Sequence, residues 1–275
     1  MDGELTTPWR PAAHLGIMHP DAPMLAATAG SADPIAQIAC AARLGFAGIF
    51  DNCLKARSPT MQRHMGEALR EHGLAMGTFT HNPMAFEPPF FWGGPIADVK
   101  AAITGSLDAA VQVGGGCVNV ILLDCGAPFA DQLERATNNL AAAAELAAER
   151  GVRIALESVS RARVPLALIE RASDVAAVAR AVGVGLILDT CHSHCVGDDM
   201  AAQIVANADI LAAVQIADMP ERVEPGAGDI DFAPILVALR AVGWTGLIEA
   251  EFTPSQPGVA GEAKAVAALR AFDSF

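Results

Sequence analysis

Four apolar runs in the second half of the chain end in a side chain able to hold a cation. Glu157 closes RIALE, Asp189 closes GLILD, Gln215 falls in LAAVQIAD, and Glu251 falls in TGLIEAEF. Three carboxylates and an amide form a hard, all-oxygen donor set, which suits Mn²⁺, Mg²⁺ or a similar divalent ion better than a sulfur-rich zinc cage would. GLILDTCHS, residues 185–193, shows the pattern most sharply. Leu186, Ile187 and Leu188 read as a strand covered on both faces, with Asp189 and His192 where that strand leaves its sheet. Alternation agrees, since Asp189 shares a face with Ile187 and Gly185, and Glu157 with Ala155. A single such acid is equally well explained as a salt bridge or a solvated strand end; four at corresponding positions are not. Glu249 shares the face of Glu251 one layer deeper, where a lone carboxylate is costly, and Arg153 is its expected partner inside the sheet. The cluster CHSHC, residues 191–195, is too compressed for a zinc site, and no second Cys or His pair completes four ligands.

These residues need a scaffold that brings strand ends together. A strand is predicted at HLGIM (14–18), then a helix over 31–44 with Ser31 as a cap, a strand at GIFD (48–51), and a helix from 59 to 71 stopped near Gly73. MGTFT (76–80) ends at His81, and a Pro-, Gly- and aromatic-rich loop follows, with Phe86, Phe90, Phe91 and Trp92 as a lid or a self-packed surface. Helices over 96–113 and 129–150 flank the strand CVNVILLD (117–124), and Gly114 to Gly116 read as a tight helix-to-strand turn. Further helices near 169–182, 200–208, 233–242 and 261–272 separate the four acid-bearing strands. Strands and helices alternating in eight units over 275 residues fit one α/β domain, a (β/α)8 TIM barrel spanning 1–275 with an N-terminal tail at 1–13. A doubly wound open sheet is the competing architecture, but HLGIMHPDAP lacks the glycine-rich dinucleotide fingerprint after its strand. In a barrel the carboxyl ends of the strands meet on one face, so the four donors would converge. His81 and Asp124, ending strands of the first half, are candidates to line the same pocket; His14 and His19 are weaker ones.

The overall balance excludes several partners. A formal net charge of −13 argues against duplex DNA, whose binding rests on basic residues neutralising phosphates. Hydrophobic residues make up 52% of the chain, yet no apolar run reaches the roughly 20 residues of a membrane span. The start MDGELTTPWRP lacks a secretory signal, and six scattered cysteines suit reduced thiols, so a cytoplasmic protein is expected.

QIADMPERVEPGAGDIDF (215–232), GLIEAEFTP (246–254), IALES with Pro165 downstream, and LILDTCHSH together resemble hydroxypyruvate isomerase and its relatives. These belong to the xylose isomerase-like, or sugar phosphate isomerase/epimerase, TIM barrels. The resemblance implies a divalent metal (Mn²⁺, Mg²⁺ or Co²⁺) held by Glu157, Asp189, Gln215 and Glu251, with Glu157 and Glu251 also moving protons. It implies that His192 and Arg222 contact a small hydroxy-carbonyl acid or sugar, which is isomerised or epimerised through an enediolate, and that the protein can be a homo-oligomer. His81 is retained as a third substrate contact from its place at a strand end. The chain departs from the relatives at Ser158 and Ser160, where they have Pro and Asn, and at Phe252, where tyrosine is usual; it contains no tyrosine. A dehydratase of the same barrel type, expelling hydroxide from a keto-polyol, and a non-catalytic sugar-binding barrel remain alternatives. A DNA-repair nuclease is disfavoured by the acidic balance and by only seven histidines.

Overall fold

The computed structural model of the chain describes residues 9–81 and 92–274. Its strands are β1 (Arg10–His14), β2 (Gly48–Phe50), β3 (Ala75–Met76), β4 (Thr78–Thr80), β5 (Cys117–Val120), β6 (Arg153–Glu157), β7 (Gly185–Asp189), β8 (Leu211–Ile216) and β9 (Leu247–Ala250). They pair in the order β3-β2-β1-β9-β8-β7-β6-β5-β4, every pair parallel. β3 and β4 are one barrel strand interrupted at Gly77. The Gly77 N–H donates to the Ile49 carbonyl at 2.7 Å on one side, and its carbonyl accepts the Cys117 N–H at 3.1 Å on the other. The two ends of the strand order therefore meet, and the sheet closes into the expected TIM barrel.

Alternation along the strands sorts side chains between two compartments. Val118, Leu156, Leu186, Leu188 and Val214 join the large core between barrel and helices. Cys117, Ala155, Ile187 and Ala213 form a separate small cluster inside the barrel, the floor beneath the acids. The helices obey local chemistry. Ser58 caps Pro59–His72, and left-handed Gly73 ends it. Gly114, Gly115 and Gly116 all take positive φ, making the turn expected of them before β5.

Three expectations need correction. The first strand lies at Arg10–His14, upstream of HLGIM, and His14 is its last residue. Ala12 pairs with strands on both sides and Ala13 with β2, yet small alanines behind Arg-Pro carry little strand signal. The helix expected from Ser31 runs over Pro34–Arg43 and is capped by Asp33, while the Ser31 hydroxyl accepts the Asp33 N–H. The expected Glu249–Arg153 pair does not form. Arg153, the first residue of β6, is exposed at the opposite end of the barrel. Glu249 is buried, and it accepts the Thr78 N–H at 2.7 Å, the Thr78 hydroxyl at 2.6 Å and Gln215 Nε2 at 3.1 Å.

One loop has a single buried organiser. Asp218, fully buried just beyond β8, accepts main-chain N–H groups from Met219, Gly226, Gly228 and Ile230. A short antiparallel bridge between Asp218 and Val223 tightens the same loop around Arg222, whose φ of 57° is left-handed. Loss of a buried carboxylate leaves these donors unpaired, so Asp218→Ala is expected to lower the unfolding free energy by about 3 kcal/mol or more in urea titrations. A loss below about 1 kcal/mol would contradict this account of the loop.

Candidate active site

A cavity of about 520 Å³ opens at the carboxyl ends of the strands, and Glu157, His192, Arg222 and Glu251 line it. The acids come from neighbouring positions around the barrel: Glu157 ends β6, Asp189 ends β7, and Glu251 follows β9. Arg222 joins them, its Nη2 lying 2.9 Å from Asp189 Oδ2 and 3.0 Å from Glu251 Oε1. Its Nε donates to the Glu251 carbonyl at 3.0 Å. Asp189 and Glu251 thus share one guanidinium, with Glu157 beside them, and all three carboxylates are buried side chains.

That excess of negative charge marks the titration of the site. Burial first, then the charges of Glu251 and Asp189, push the Glu157 carboxyl well above the usual range, against the opposing pull of Asn119 and Arg222. Burial likewise raises Glu251 to about 7, although Arg222 pulls it down. Burial opposes the charge on Arg222, but Glu251 and Asp189 outweigh it and hold the guanidinium ionised.

His192 is held by its other nitrogen. Asp189 caps the helix Thr190–Val196 by accepting the Cys191 N–H, and this places His192 one turn onward. The Ser160 N–H donates to His192 Nδ1 at 3.2 Å, so Nδ1 is an acceptor and the ring proton of the neutral imidazole sits on Nε2. Nε2 faces Glu157 Oε1 at 3.6 Å and Asp189 Oδ2 at 3.9 Å. Burial lowers the His192 pKa to about 4, which keeps the ring neutral at physiological pH. Donor atoms of Glu157, Asp189 and His192 all lie within 4.8 Å of one another, a spacing a single ion can bridge. The protonated Nε2 makes His192 a hydrogen-bond donor towards these carboxylates.

Gln215 lies on β8 and is not among the described residues lining the cavity. It pairs in register with Asp189 on β7 and Glu249 on β9, its Nε2 is bonded to Glu249 and Thr78, and its Oε1 is buried without a partner. Glu251 Oε2 is likewise buried and unpartnered. His81 turns elsewhere: Nδ1 meets the Ser106 hydroxyl at 2.8 Å, the ring packs on Trp92 at 5.6 Å, and it is not among the described residues lining the cavity. Asp124 is exposed and holds the Gly126 N–H and Gln132 Nε2, which is loop capping. Of the aromatic loop, Phe86, Phe90 and Phe91 lie outside the described residues; Trp92 is buried.

Several neighbours escaped the sequence reading. Asn119 Nδ2 donates to Glu157 Oε2, and Asn52 Nδ2 donates to Glu251 Oε1 at 3.0 Å. His14, a weaker candidate from the sequence, does line the cavity, and it donates through Nε2 to the Phe252 carbonyl at 3.0 Å. Arg163 stands at the rim, bonded to the Pro220 carbonyl and to no carboxylate among the described residues. Asn119 had a visible signal, an amide on the inward face of an otherwise apolar strand.

A closed parallel barrel with acids gathered at its carboxyl mouth defines the class to which this chain belongs. Residues 38–274 match the xylose isomerase-like TIM barrel family, and the chain is a member of it. It is similar to 2-oxo-tetronate isomerase of Cupriavidus necator, 28% identical over 58% of this chain and 64% of that protein. The Haemophilus influenzae protein of the same name is 28% identical over 70% of this chain and 78% of its own. The AP endonuclease, family 2, of Brucella melitensis superposes with a TM-score of 0.76 at 21% identity, over 93% of this chain and 97% of that one, a likeness of fold.

A raised carboxyl pKa has a fixed sign in stability. Glu251 binds its proton more tightly folded than unfolded, so its contribution is most favourable below the ordinary glutamate value of 4.5 and is lost as pH rises towards about 7. In chelator-treated protein, Glu251→Gln should therefore gain stability relative to wild type as pH rises from 5 to 8, by at most about 1.4 kcal/mol per pH unit. A wild-type-minus-variant difference that stays flat over that interval would show that Glu251 titrates normally.

Proposed function

We propose that the protein is a divalent-metal-dependent isomerase or epimerase of a small hydroxy-carbonyl acid, working by proton transfer between two glutamates. The carrying observation is the pair Glu157 and Glu251, both buried, both with raised carboxyl pKa, and both facing one cavity. A carboxylate whose pKa is brought towards neutrality is matched to taking a proton from carbon and returning it.

The residues fit a cation. Three buried carboxylates against one guanidinium need further positive charge or protons, and the unpartnered Gln215 Oε1 and Glu251 Oε2 are oxygens of the kind Mn²⁺ or Mg²⁺ takes. Glu157, Asp189, Gln215 and Glu251 would hold the ion. When bound, it supplies positive charge against the negative charge that develops on a substrate carbonyl oxygen. One glutamate removes the proton beside the carbonyl, giving an enediolate. Return by the second glutamate to the adjoining carbon gives isomerisation, and to the opposite face of the same carbon gives epimerisation. His192 Nε2–H donates to a substrate oxygen next to Glu157.

An acid substrate is supported by Arg163 and by the 2-oxo-tetronate relatives. Arg222 lines the same cavity, with its Nε and Nη2 given to Glu251 and Asp189. Arg163 is the rim guanidinium left for the acid. Arg163→Ala is expected to raise KM for a keto acid by roughly tenfold or more while sparing neutral ketoses; equal effects on both would remove Arg163 from recognition.

The reaction itself is tested by solvent deuterium. With Mn²⁺ in deuterated water, wild type should place deuterium beside the carbonyl of a hydroxy-keto acid, and Glu157→Gln and Glu251→Gln should slow this roughly 10²- to 10⁴-fold. Exchange that survives both substitutions would overturn the reading. Loss of hydroxide from the substrate, without return of the proton, would instead identify a dehydratase.

A further inference from the structure

We infer that Glu249 is a positioning residue that orients the amide of Gln215, so that its oxygen and not its NH₂ faces the candidate metal site. The inference rests on the metal reading above and concerns a residue outside the four proposed ligands. Glu249 is buried, and no Lys, Arg or His pairs with it among the described residues. Its surroundings consist of donors from a single residue and one amide. Oε1 accepts the Thr78 N–H at 2.7 Å, and Oε2 accepts the Thr78 hydroxyl at 2.6 Å.

With the Glu249 carboxyl ionised, this leaves no choice for the neighbouring amide. The Thr78 hydroxyl has one proton, which it gives to Glu249, so towards Gln215 it offers only lone pairs. The end of the Gln215 side chain near β4 therefore meets two acceptors, Glu249 Oε2 at 3.1 Å and Thr78 Oγ1 at 3.2 Å. Only an NH₂ satisfies both. Oε1 is turned away and stays without a partner, on a residue in register with Asp189. The two ends of a glutamine amide are nearly the same size, so packing alone cannot select between them; a fixed pair of acceptors can. The barrel makes room for this device where its strand breaks. A Cβ at Gly77 would lie 2.3 Å from Glu249 Oε1, so a side chain there would collide with the carboxylate. Gly77, Thr78, Glu249 and Gln215 thus act as one unit: a glycine gap, a threonine clamp, an acid, and the amide that the acid orients.

The test exchanges acceptor for donor at constant shape. In E249Q, the amide at 249 keeps its oxygen on the Thr78 N–H and turns NH₂ towards Gln215, which then presents its own NH₂ to the metal site. Mn²⁺ affinity, measured by equilibrium dialysis with free Mn²⁺ read by electron paramagnetic resonance, should fall roughly 10- to 100-fold. Near-ultraviolet circular dichroism should match wild type. Adding Q215E to E249Q should recover most of the affinity, because a carboxylate accepts from the new NH₂ and still offers an oxygen. In the wild-type background Q215E should weaken binding, since two carboxylates would then face each other. If E249Q does not fold, T78V carries the test: it removes one of the two acceptors and should weaken Mn²⁺ binding several-fold, while T78S binds as wild type does. Wild-type affinity in folded E249Q, or in T78V, overturns this role of Glu249 and leaves the metal reading standing. A wild-type protein that takes up no Mn²⁺ overturns the metal reading, and this role with it.

Discussion

Three buried carboxylates forced together at the barrel mouth are the constraint on which the rest of the site depends. Coulomb repulsion at these separations grows as water is excluded, and burial of each ionised group is costly by itself. The protein answers in several ways at once. Arg222 lies between Asp189 and Glu251. Asn119 and Asn52 donate to Glu157 and Glu251. The remaining imbalance appears as raised carboxyl pKa values, and it gives a divalent cation a physical reason to bind. Chemistry and electrostatics are then the same fact: carboxylates that hold protons near neutral pH are also the ones able to move them.

The surrounding fold serves that cluster by fixing orientations. Asp218 gathers four main-chain donors and shapes the loop that carries Arg222. Asp189 both joins the cluster and caps the short helix that delivers His192. Ser160 settles which nitrogen of that ring bears the proton. Beneath them, Glu249 and Thr78 hold Gln215. Ser160 and Glu249 each decide which atom of a neighbouring side chain faces inward.

Much of this was legible in the chain itself, because the decisive signals were local. An apolar run that ends in an acid is written in five residues, and repetition of that pattern indicated both the barrel and the mouth where Glu157, Asp189 and Glu251 meet. Glycine at helix ends and the Gly114–Gly116 turn followed from backbone sterics. What could not be read was long-range partnership. Glu249 and Thr78 are 171 residues apart, and only closure of the barrel joins them. Arg153 shared the parity of Glu157, but parity does not tell how deep in the barrel a residue lies, and its place at the start of β6 left it in solvent. His81 ended its strand as expected, yet Ser106 on a neighbouring helix captured the ring. The helix after Asp189 was missed because Thr, Cys, His and Ser are weak helix formers, and here the cap supplied what propensity did not.

The central claim is that these buried acids hold protons a divalent cation displaces. Calorimetric titration of chelator-treated protein with Mn²⁺ at pH 7, repeated in buffers of different ionisation enthalpy, measures that displacement directly. The account predicts one Mn²⁺ per chain, with net proton release that falls when Glu157 or Glu251 is replaced by glutamine. Binding without proton release, or no binding, would contradict it.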